Sequence, residues 1–456
     1  MSVKDDLEIK FTQERISHWN RIAERLIKGT GASAYYYKLL RHFYRHHIPA
    51  GQRVLEVGCG TGDILAATNP AHGVGIDFSE AMLRLASEKH PNLTFVYADA
   101  HSLSHLSETF DFIILSDLLN DVWDVQKVLE QVACVSHPGT RIIINAYSKV
   151  WETPLTITSK LGLSKPKLLQ NWLTVEDLQG LLTLSGFEVI CNRQEILLPL
   201  PIPIISPFFN RYLVRFWPFK HLALTNFIIA RSCKTVENTI PPVVSVIVPA
   251  RNEAGNIEAI FQRVPDMGGG TELIFVEGHS SDDTYQAIEK TIKNYPDKHV
   301  KLFRQTGKGK GDAVRLGFAE ATGDILMILD ADLTVPPEDL PRFYEALVTG
   351  KADFVNGVRL VYPMEDQAMR FFNFIGNKFF SVAFTWLLGQ SVKDTLCGTK
   401  VLRKSDYERI AANRLYFGDF DPFGDFDLLF GAAKLNMKIL GLPIRYRERK
   451  YGTTNI

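Results

Sequence analysis

The sequence predicts an α/β protein made of two Rossmann-like domains that follow one another along the chain. Two series of alternating strand-like and helix-like segments are visible, and the polar stretch 234–242, which ends in Pro-Pro, separates them. A glycine-rich loop follows the first strand of the first series, and an Asp-x-Asp motif follows a strand of the second. We therefore assign residues 1–233 to one domain, 234–242 to a linker and 243–456 to a second domain.

The composition is that of a folded globular protein and argues against several functional classes. Of 456 residues, 46% are apolar and 22% are charged, with 51 basic and 51 acidic side chains. This zero net charge argues against a general nucleic-acid-binding role, which normally requires a basic excess. The five cysteines form no Cys-x-x-Cys pair, so neither a zinc site nor a disulfide framework is indicated, and a reducing, cytoplasmic location is expected. The charged N-terminus, 1–10, does not resemble a secretory signal.

Two apolar stretches leave a choice between buried core and membrane contact. The stretch 196–217 contains several prolines and two arginines, and the stretch 371–388 is rich in phenylalanine. Neither holds the roughly 20 uninterrupted apolar residues that a membrane-spanning helix needs. Buried core is the simpler interpretation. The alternative is a surface with basic residues at its edge that touches a bilayer or a lipid substrate.

The first series begins with a helical region, 1–49, and continues with strands. The strands are predicted at 53–57, 73–77, 110–115, 141–145 and 226–230. Thr174-Val-Glu-Asp177 is typical of a helix start, and Gly186 is a plausible stop for that helix. Because helical segments separate most of the strands, we expect a parallel, doubly wound sheet.

The loop after the first strand reads Glu56-Val-Gly58-Cys-Gly60-Thr-Gly62 and precedes a helix. Glycines let the backbone approach a ligand closely, and a helix N-terminus favours polar or anionic groups. Asp77 ends the next strand about 20 residues further on, where an acidic residue meets ribose hydroxyls in nucleotide-binding units. NAD is an alternative ligand, but Asp63 stands where its fingerprint has a glycine.

These motifs resemble class I S-adenosylmethionine-dependent methyltransferases over about residues 45–231. The resemblance implies that S-adenosyl-L-methionine (SAM) is the cofactor. The residues it assigns to SAM binding are Glu56, Gly58, Gly60, Gly62, Asp77, Phe78, Asp99 and Ala100. Asp77 would bind the ribose, and Phe78 would flank the adenine. For Glu56 the alternative role is a helix or loop cap.

No motif identifies the methyl acceptor. Methyl transfer needs mainly in-line positioning, with a base added if the acceptor is a hydroxyl. Asp117 follows the strand at which the family places its methyl-transfer face, and Asp121 and Tyr36 are further candidates. A solvated loop is the alternative for Asp117 and Asn120. An Asn-Pro-Pro-Tyr motif is absent, which argues weakly against methylation of DNA bases or glutamine.

The second series has predicted strands at 244–248, 272–276, 300–303 and 325–329. Conspicuous polar segments follow them: Pro249-Ala-Arg251-Asn-Glu253, then Glu277, then Gly307-Lys308-Gly-Lys310-Gly, then Asp330-Ala-Asp332. A buried strand that ends in Asp-x-Asp puts two carboxylates at the carboxyl edge of the sheet, where ligands bind in open α/β sheets. Two such oxygen donors can hold Mg²⁺ or Mn²⁺ against a nucleotide diphosphate.

This order of motifs resembles family 2 inverting glycosyltransferases with a GT-A fold, closest to polyprenyl-phosphate and dolichyl-phosphate sugar synthases, over about residues 243–455. The resemblance implies metal-dependent, inverting transfer from a UDP- or GDP-linked sugar, with Asp330 and Asp332 as metal ligands. The nucleotide-sugar residues would be Pro249, Arg251, Glu253, Glu277, Lys308, Asp330 and Arg449. The family usually has a second acid after Glu277; Gly278 stands there, so the nucleobase is not predicted.

The same resemblance places Asp394, Gly398 and Lys400 in the acceptor loop. A hydroxyl acceptor requires a base, for which Asp425 is the first candidate and Asp427 the second, with a helix cap as the alternative for Asp427. A polyprenyl phosphate is already anionic and requires none. Relatives often continue into membrane-associated helices past the motif around Arg449, so we expect this chain to lack that anchor or to be a shortened version.

Taken together, the motifs predict a bifunctional transferase of glycan or glycolipid biosynthesis in the cell envelope. The favoured acceptor of the second half is a polyprenyl phosphate or another lipid, and the favoured location is the cytoplasm, peripheral at the cytoplasmic face of the membrane. The alternative is that one half is an inactive binding or scaffold module.

Overall fold

A computed structural model describes residues 3–27, 34–160, 168, 170–234, 240–359, 361, 371–414, 425–447, 449 and 451. The chain divides into two compact units, Met1–Lys234 and Thr235–Ile456, called here the N-terminal and C-terminal units. Each unit has a seven-stranded sheet flanked by helices. The prediction of two α/β domains, a class I methyltransferase fold followed by a GT-A fold, is confirmed. Most of the predicted linker, 235–239, lies outside the described residues.

The N-terminal unit follows the predicted order of helices and strands, with two extra strands. Its helices are α1 (Val3–Ile27), α2 (Ala34–His47), α3 (Asp63–Ala67), α4 (Glu80–Lys89), α5 (Val125–Cys134), α6 (Glu152–Lys160), α7 (Val175–Leu184) and α8 (Ile205–Arg211). Its strands are β1 (Arg53–Val57), β2 (His72–Asp77), β3 (Thr94–Tyr97), β4 (Phe110–Ser116), β5 (Ser136–Tyr147), β6 (Phe187–Glu195) and β7 (Thr225–Ser232).

The strand order in this sheet is β3-β2-β1-β4-β5-β7-β6. Strands β1 to β5 pair in parallel, whereas β7 runs antiparallel to both β5 and β6. The prediction of a wholly parallel sheet is therefore wrong at β7. The reason is that antiparallel neighbours need no crossover helix, so the chain can leave β6 and return beside it. Helix α7 begins as predicted, because Thr174 and Asp177 form a reciprocal capping box.

The central strands of the N-terminal unit are apolar on both faces. Leu55, Ile113 and Ile144 are buried in the cluster on one side of the sheet. Val54, Phe112 and Ile143 are buried in the cluster on the other side, against α2. Neighbouring residues of a strand point to opposite faces, so a strand covered by helices on both sides reads as a continuous apolar run.

The C-terminal unit also adds strands to those predicted. Its helices are α9 (Ile257–Arg263), α10 (Thr284–Asn294), α11 (Lys310–Glu320), α12 (Leu340–Val348), α13 (Phe371–Leu388), α14 (Lys404–Ala412) and a last helix, Asp425–Lys434. Its strands are β8 (Val244–Ala250), β9 (Thr271–Glu277), β10 (His299–Arg304), β11 (Ile325–Ile328), β12 (Phe354–Val358), β13 (Lys400–Arg403) and β14 (Ile439–Pro443).

The order in the second sheet is β10-β9-β8-β11-β13-β12-β14. Strand β13 runs antiparallel to β11 and β12, and the other pairs are parallel. This reversed strand matters for the site, because it brings the segment before Lys400 back beside the carboxyl end of β11. Polar groups from a segment distant in sequence therefore lie next to the Asp-x-Asp motif.

The two apolar stretches are not simply buried core. Helix α13 buries Asn377, Ser381 and Phe384 but exposes Phe379 and Trp386. The stretch 196–217 exposes most of its large apolar side chains. The simpler interpretation is therefore wrong for much of both stretches. Within the described ranges, no helix combines the length and apolarity required to cross a bilayer.

Candidate functional site

The glycine-rich loop of the N-terminal unit lies between β1 and α3. Gly58, Gly60 and Gly62 have φ angles of 75°, 51° and 69°, in the left-handed region that side chains disfavour. A Cβ at Gly58 would lie 2.8 Å from the Cδ1 of Leu118, and a Cβ at Gly62 would lie 2.7 Å from the Cζ of Phe95. The loop therefore has a shape that only glycine permits, with its backbone close to neighbouring side chains.

Asp77 ties this loop to the end of β2. Its carboxylate accepts hydrogen bonds from the backbone N–H of Gly60 and from that of Ser79, each at 2.9 Å. Burial raises the pKa of Asp77, although these backbone donors act in the opposite direction. The Ser79 hydroxyl lies 2.6 Å from the Oδ1 of Asn20, so helix α1 contacts the same edge of the sheet.

Glu56 lies behind the loop and is almost completely buried. Its Oε2 accepts a hydrogen bond from the backbone N–H of Leu65 at 2.9 Å, within α3. Burial raises the pKa of Glu56 well above its usual value. This contact matches the capping role that was the alternative for Glu56, and a direct contact with the cofactor stays a prediction.

Asp99 is held by a neighbouring histidine. The Asp99 carboxylate accepts hydrogen bonds from the backbone N–H of His101 at 2.9 Å and from its Nδ1 at 2.6 Å. The Nε2 of His101 in turn accepts from the backbone N–H of Asp124 at 3.1 Å, which places the proton on Nδ1. Burial opposes ionisation of Asp99, but the His101 contacts outweigh it and lower the pKa of Asp99. Next to it Ala100 is buried, and Phe78 is half-buried at the end of β2.

Asp117 follows β4 directly and has a φ of 52°. The Tyr36 hydroxyl lies 3.0 and 3.1 Å from its two carboxylate oxygens, and the Asn145 amide donates to it at 2.6 Å. Tyr44 fixes Asn145 by donating to its Oδ1 at 2.6 Å. Burial and then the Asp117 charge raise the pKa of Tyr36, so the phenol stays protonated and acts as a donor rather than as a base.

The remaining candidates near Asp117 have structural partners. Asp121 is 2.9 Å from the Nε of Arg15 and accepts from the indole of Trp19 at 2.7 Å. Both oxygens of its carboxylate therefore bond to side chains of helix α1. Asn120 is fully buried, and its amide donates to the carbonyl of Asn171 at 2.7 Å. A solvated loop is therefore the wrong description of Asn120.

Sequence reasoning missed several members of this network. Tyr44, Asn145, Asn20 and Arg15 all contact the predicted residues or their neighbours. One signal was present in α2. Its buried residues, Tyr36, Leu40, Tyr44 and His47, are spaced three or four apart as on one face of a helix, and all but Leu40 carry a polar group. Asn145, the β5 residue that bonds to Tyr44 and Asp117, stands in no pattern that marks it as a site residue.

In the C-terminal unit, each carboxylate of the Asp-x-Asp motif contacts a basic side chain. The Nζ of Lys310 lies 2.6 Å from Asp330, and a guanidinium nitrogen of Arg449 lies 3.1 Å from Asp332. Burial opposes ionisation of Asp330, but Lys310, together with the charges of Lys400 and Arg359, outweighs it and lowers the pKa of Asp330. Lys310 was not among the predicted site residues, whereas the predicted Lys308 is exposed.

Arg449 also joins this motif to the loop after β8. The same guanidinium nitrogen lies 2.9 Å from the Oε1 of Glu253, whose other oxygen accepts from the amide of Asn256 at 2.7 Å. Burial raises the pKa of Glu253 to about 7, despite the nearby arginine. Along the same segment Pro249 is half-buried and Arg251 is exposed. The structure thus brings together Glu253, Asp332 and Arg449, three residues that separate sequence motifs assign to donor or metal binding.

Glu277 ends β9 and is buried. Its carboxylate accepts from the backbone N–H of Ser280 and lies 3.2 Å from the Nε of Arg304, which itself lies 4.3 Å from the ring centre of Tyr285. Gly278, which replaces the expected second acid, lies next to Arg251, and a Cβ there would be 3.4 Å from the Arg251 Cβ, an ordinary contact distance. A base-binding role for Glu277 stays a prediction.

The predicted acceptor loop packs beneath the Asp-x-Asp motif. Asp394 is fully buried and accepts from both Nε and NH2 of Arg359, at 2.8 and 2.9 Å, and from Asn377 at 2.8 Å. Lys400 is also fully buried and donates to the carbonyl of Cys397. A Cβ at Gly398 would lie 2.1 Å from the Oδ2 of Asp330, so this glycine makes room for the carboxylate.

The two candidate bases lie at the start of the last helix. Asp427 is buried and lies 3.2 Å from the Nε of Arg414 and 3.7 Å from the NH2 of Arg315. The helix begins at Asp425, whose side chain lies outside the described residues. A catalytic role for either residue stays a prediction. Across the part of the chain that the structure describes, no group of three or more His, Cys, Asp or Glu side chains is placed to hold a metal.

Comparison with known proteins finds a different family for each half of the chain. The family described as "Methyltransferase domain" matches residues 48–183, and "Glycosyl transferase family 2" matches residues 245–411. Among solved structures, a possible histamine N-methyltransferase from Thermotoga maritima is 16% identical, covering 48% of this chain and 100% of that one, with a TM-score of 0.38.

Curated relatives include lipid-phosphate sugar transferases. A dolichol-phosphate mannosyltransferase from Pyrococcus furiosus is 34% identical over 179 residues, covering 38% of this chain and 50% of the relative. An undecaprenyl-phosphate 4-deoxy-4-formamido-L-arabinose transferase from Pectobacterium carotovorum is 26% identical over 216 residues, covering 46% and 62%. The chain thus spans only 50% to 62% of the length of these relatives. It carries a methyltransferase domain in its N-terminal unit and a family 2 glycosyltransferase domain in its C-terminal unit.

Proposed function

We propose that the C-terminal unit transfers a sugar, with inversion, from a nucleoside diphosphate to a polyprenyl phosphate or another lipid-linked acceptor. The proposal rests on two ion pairs at the carboxyl edge of the second sheet: Asp330 with Lys310, and Asp332 with Arg449. Ligands of open α/β sheets bind at this edge. The lipid-phosphate relatives support the choice of acceptor.

The carboxylates fit a divalent cation that arrives with the donor. Mg²⁺ is commonly held by one or two protein carboxylates plus substrate phosphates, so a third protein ligand is not required. Lys310 and Arg449 contact oxygens of Asp330 and Asp332, so a cation that binds there would have to displace these basic side chains. When bound there, Mg²⁺ or Mn²⁺ would neutralise charge on the departing diphosphate.

The chain's own residues would bind and orient the two substrates. Lys310 and Arg449 supply positive charge for the diphosphate, and Arg449 links it to Glu253 beside the nucleoside. Asp394 has its oxygens satisfied by Arg359 and Asn377, so it holds the acceptor loop in place. A phosphate acceptor is already a nucleophile, and Asp427, paired with two arginines, would then adjust local charge rather than remove a proton.

We propose that the N-terminal unit transfers a methyl group from SAM. The loop of Gly58, Gly60 and Gly62, with Asp77 bound to it, supports binding of the cofactor's methionine and ribose parts. Asp117, held by Tyr36 at the end of β4, supports an acceptor site at the neighbouring strand end. Its carboxylate would orient the acceptor or take its proton.

We also propose that the C-terminal unit works at the cytoplasmic face of the membrane. Helix α13 exposes Phe379, Val382 and Trp386, while Lys378 lies beside them and is also exposed. An apolar face with a basic edge suits the boundary between headgroups and acyl chains. A lipid-linked acceptor would be reached from that position.

Ligand binding tests both halves separately. Titration calorimetry with S-adenosylhomocysteine, NAD, UDP and GDP, the last two with and without Mn²⁺, should give binding of S-adenosylhomocysteine but not NAD, and metal-dependent binding of one nucleotide. Asp332→Asn should abolish the increase in nucleotide affinity that Mn²⁺ gives, and Asp353→Asn, just before β12, serves as the control. Metal-independent nucleotide binding in the unsubstituted chain would contradict the metal part of the proposal.

A second candidate is that the C-terminal unit is an inactive binding module. Two observations favour it: Gly278 replaces an acid that the family usually carries, and both acids of the Asp-x-Asp motif contact basic side chains. Transfer of sugar from UDP- and GDP-sugars to a short polyprenyl phosphate distinguishes the two. Transfer that Asp332→Asn abolishes supports an enzyme, and absence of transfer with every donor supports the module.

A further inference from the structure

The N-terminal unit has an exposed apolar surface that neither proposed transfer reaction uses. It is formed by the segment between β6 and β7, residues 196–224, which contains α8 and the two short 3₁₀ turns Leu213–Arg215 and Phe219–Leu222. Many of its large apolar side chains are exposed, including Ile204 (85%), Trp217 (77%) and Phe208 (52%). Others are Leu200, Ile202, Ile205, Tyr212, Phe216, Phe219 and Leu222. We call this surface the 200–222 face.

In an ordinary surface loop the polar side chains face solvent, whereas in this segment the apolar side chains do. Its polar side chains point inward: Ser206 is fully buried and donates to the carbonyl of Leu200, and the Asn210 amide donates to the carbonyl of Leu198 at 2.8 Å. Asn210 also accepts from the backbone N–H of Leu198 at 2.8 Å. Since the polar groups satisfy the backbone, the apolar groups are left to point outward on a hydrogen-bonded framework.

The most exposed residue of this face is held in an unfavourable backbone conformation. Ile204 has φ 66° and ψ −48°, and the carbonyl before it accepts from the N–H after it, Pro203 to Ile205, at 2.7 Å. This is a γ-turn with positive φ, which is rare and strained for a β-branched residue. Strain of this kind persists where the surrounding structure enforces it, and it is concentrated at functional positions. Here it presents an isoleucine side chain to solvent.

The charged side chains of the segment itself are all of one sign. No aspartate or glutamate stands between Glu195 and Glu237, whereas Arg211, Lys220 and His221 lie on or beside the apolar side chains. Within the described residues neither Arg211 nor Lys220 forms an ion pair; Arg211 instead lies 5.6 Å from the ring centre of Tyr212. Exposed Trp, Tyr and Phe with basic neighbours and no acids complement the apolar boundary and negative charge of an anionic bilayer.

We propose that the 200–222 face docks the N-terminal unit onto anionic lipid bilayers. Ile204, Phe208 and Trp217 insert among the acyl chains just below the headgroups, and Arg211 and Lys220 contact the lipid phosphates. This docking is separate from the apolar face of α13 and does not depend on either transfer reaction. It holds the methyltransferase domain at the membrane whether or not the glycosyltransferase domain is bound there.

Vesicle co-sedimentation of the full chain tests the proposal, without turnover and without SAM. The probes are phosphatidylcholine vesicles and mixed phosphatidylcholine–phosphatidylglycerol vesicles. We expect tighter binding to the mixed vesicles and weakening by salt. Phe208→Asp with Trp217→Ser should weaken binding about tenfold or more, because each removes an apolar side chain that the bilayer would bury. Leu184→Asp, at an equally exposed apolar position of α7, is the matched control and should change binding little.

Two further measurements locate the contact. Ile204→Gly removes both the side chain and the strain, so it should lower vesicle affinity while leaving the thermal unfolding midpoint unchanged or higher. Hydrogen exchange should show protection of residues 198–222 when mixed vesicles are added. Unchanged binding in the double variant, protection confined to α13, or a lipid-free dimer that the double variant converts to monomer would each overturn the proposal.

Discussion

The Tyr36 hydroxyl lies 3.0 and 3.1 Å from the two carboxylate oxygens of Asp117, at the carboxyl end of β4. This pair joins the N-terminal helical region to the centre of the first sheet. It also gives Asp117 a donor that stays protonated, because the pKa of Tyr36 is raised. The carboxylate is therefore oriented before any methyl acceptor arrives.

Tyr36→Phe should lower the free energy of unfolding by about 1.5–3 kcal/mol, the contribution of a hydrogen bond to a charged carboxylate. Affinity for S-adenosylhomocysteine should be unchanged, since the Tyr36 hydroxyl bonds to Asp117 and Thr225 rather than to the glycine loop. Chemical denaturation and calorimetry measure the two quantities. Tyr37→Phe, at a half-exposed neighbouring ring, is the control, and an equal loss of stability there would contradict this assignment.

Asp77→Asn should weaken binding of S-adenosylhomocysteine by about tenfold to a hundredfold. The carboxylate accepts from the N–H groups of Gly60 and Ser79, and an amide nitrogen in its place would face a donor. Charge-assisted hydrogen bonds contribute about 1.5–3 kcal/mol each. Titration calorimetry checks the effect, with Glu88→Gln at an exposed position of α4 as the control. An unchanged affinity would show that Asp77 does not shape the cofactor site.

Gly398→Ala should abolish metal-dependent nucleotide binding by the C-terminal unit. The new methyl group would lie 2.1 Å from the Oδ2 of Asp330 and 2.2 Å from the Nζ of Lys310, so the ion pair must move. The control is Gly376→Ala in α13, where a Cβ meets nothing within 4 Å. If both variants bind nucleotide and Mn²⁺ like the unsubstituted chain, Asp330 is not part of the donor site.

Glu253 should make the C-terminal unit less stable as pH rises from about 4.5 to about 7. Its folded pKa is raised to about 7 from an ordinary value of 4.5, so between these values the folded state binds more protons than the unfolded state. The loss is about 1–3 kcal/mol. Glu253→Gln should flatten this slope in denaturation measured across the pH range, whereas Glu289→Gln on α10 should leave it. A slope that persists in Glu253→Gln would assign it to another group.

How far the sequence could predict the fold depended on local signals. The capping box of Thr174 and Asp177 and the apolar runs of β1 and β8 were visible in single segments. The antiparallel strands β7 and β13 were not visible as such, because strand direction is set by where the chain returns to the sheet. The register that pairs Met327 with Val401 joins segments far apart in sequence.

Site residues within compact motifs could be predicted from the sequence, whereas partners in other segments could not. Residues inside compact motifs, such as Asp77 and Asp330, lie at the strand ends as expected. Lys310 was overlooked in favour of Lys308 because both stand in one glycine-rich run, and only the start of α11 decides which of them points to Asp330. Arg359 gave no signal, since its partner Asp394 lies in a separate segment.

The two contacts of the Asp-x-Asp motif have a thermodynamic consequence for substrate binding. While Lys310 and Arg449 lie on Asp330 and Asp332, a divalent cation alone must compete with them for the same oxygens. A bound diphosphate would attract both basic side chains and so release the carboxylates. By linkage each ligand then raises the affinity for the other by the same factor. The unit would respond weakly to free metal or free nucleotide and strongly to the two together, which makes the metal–donor complex its effective substrate.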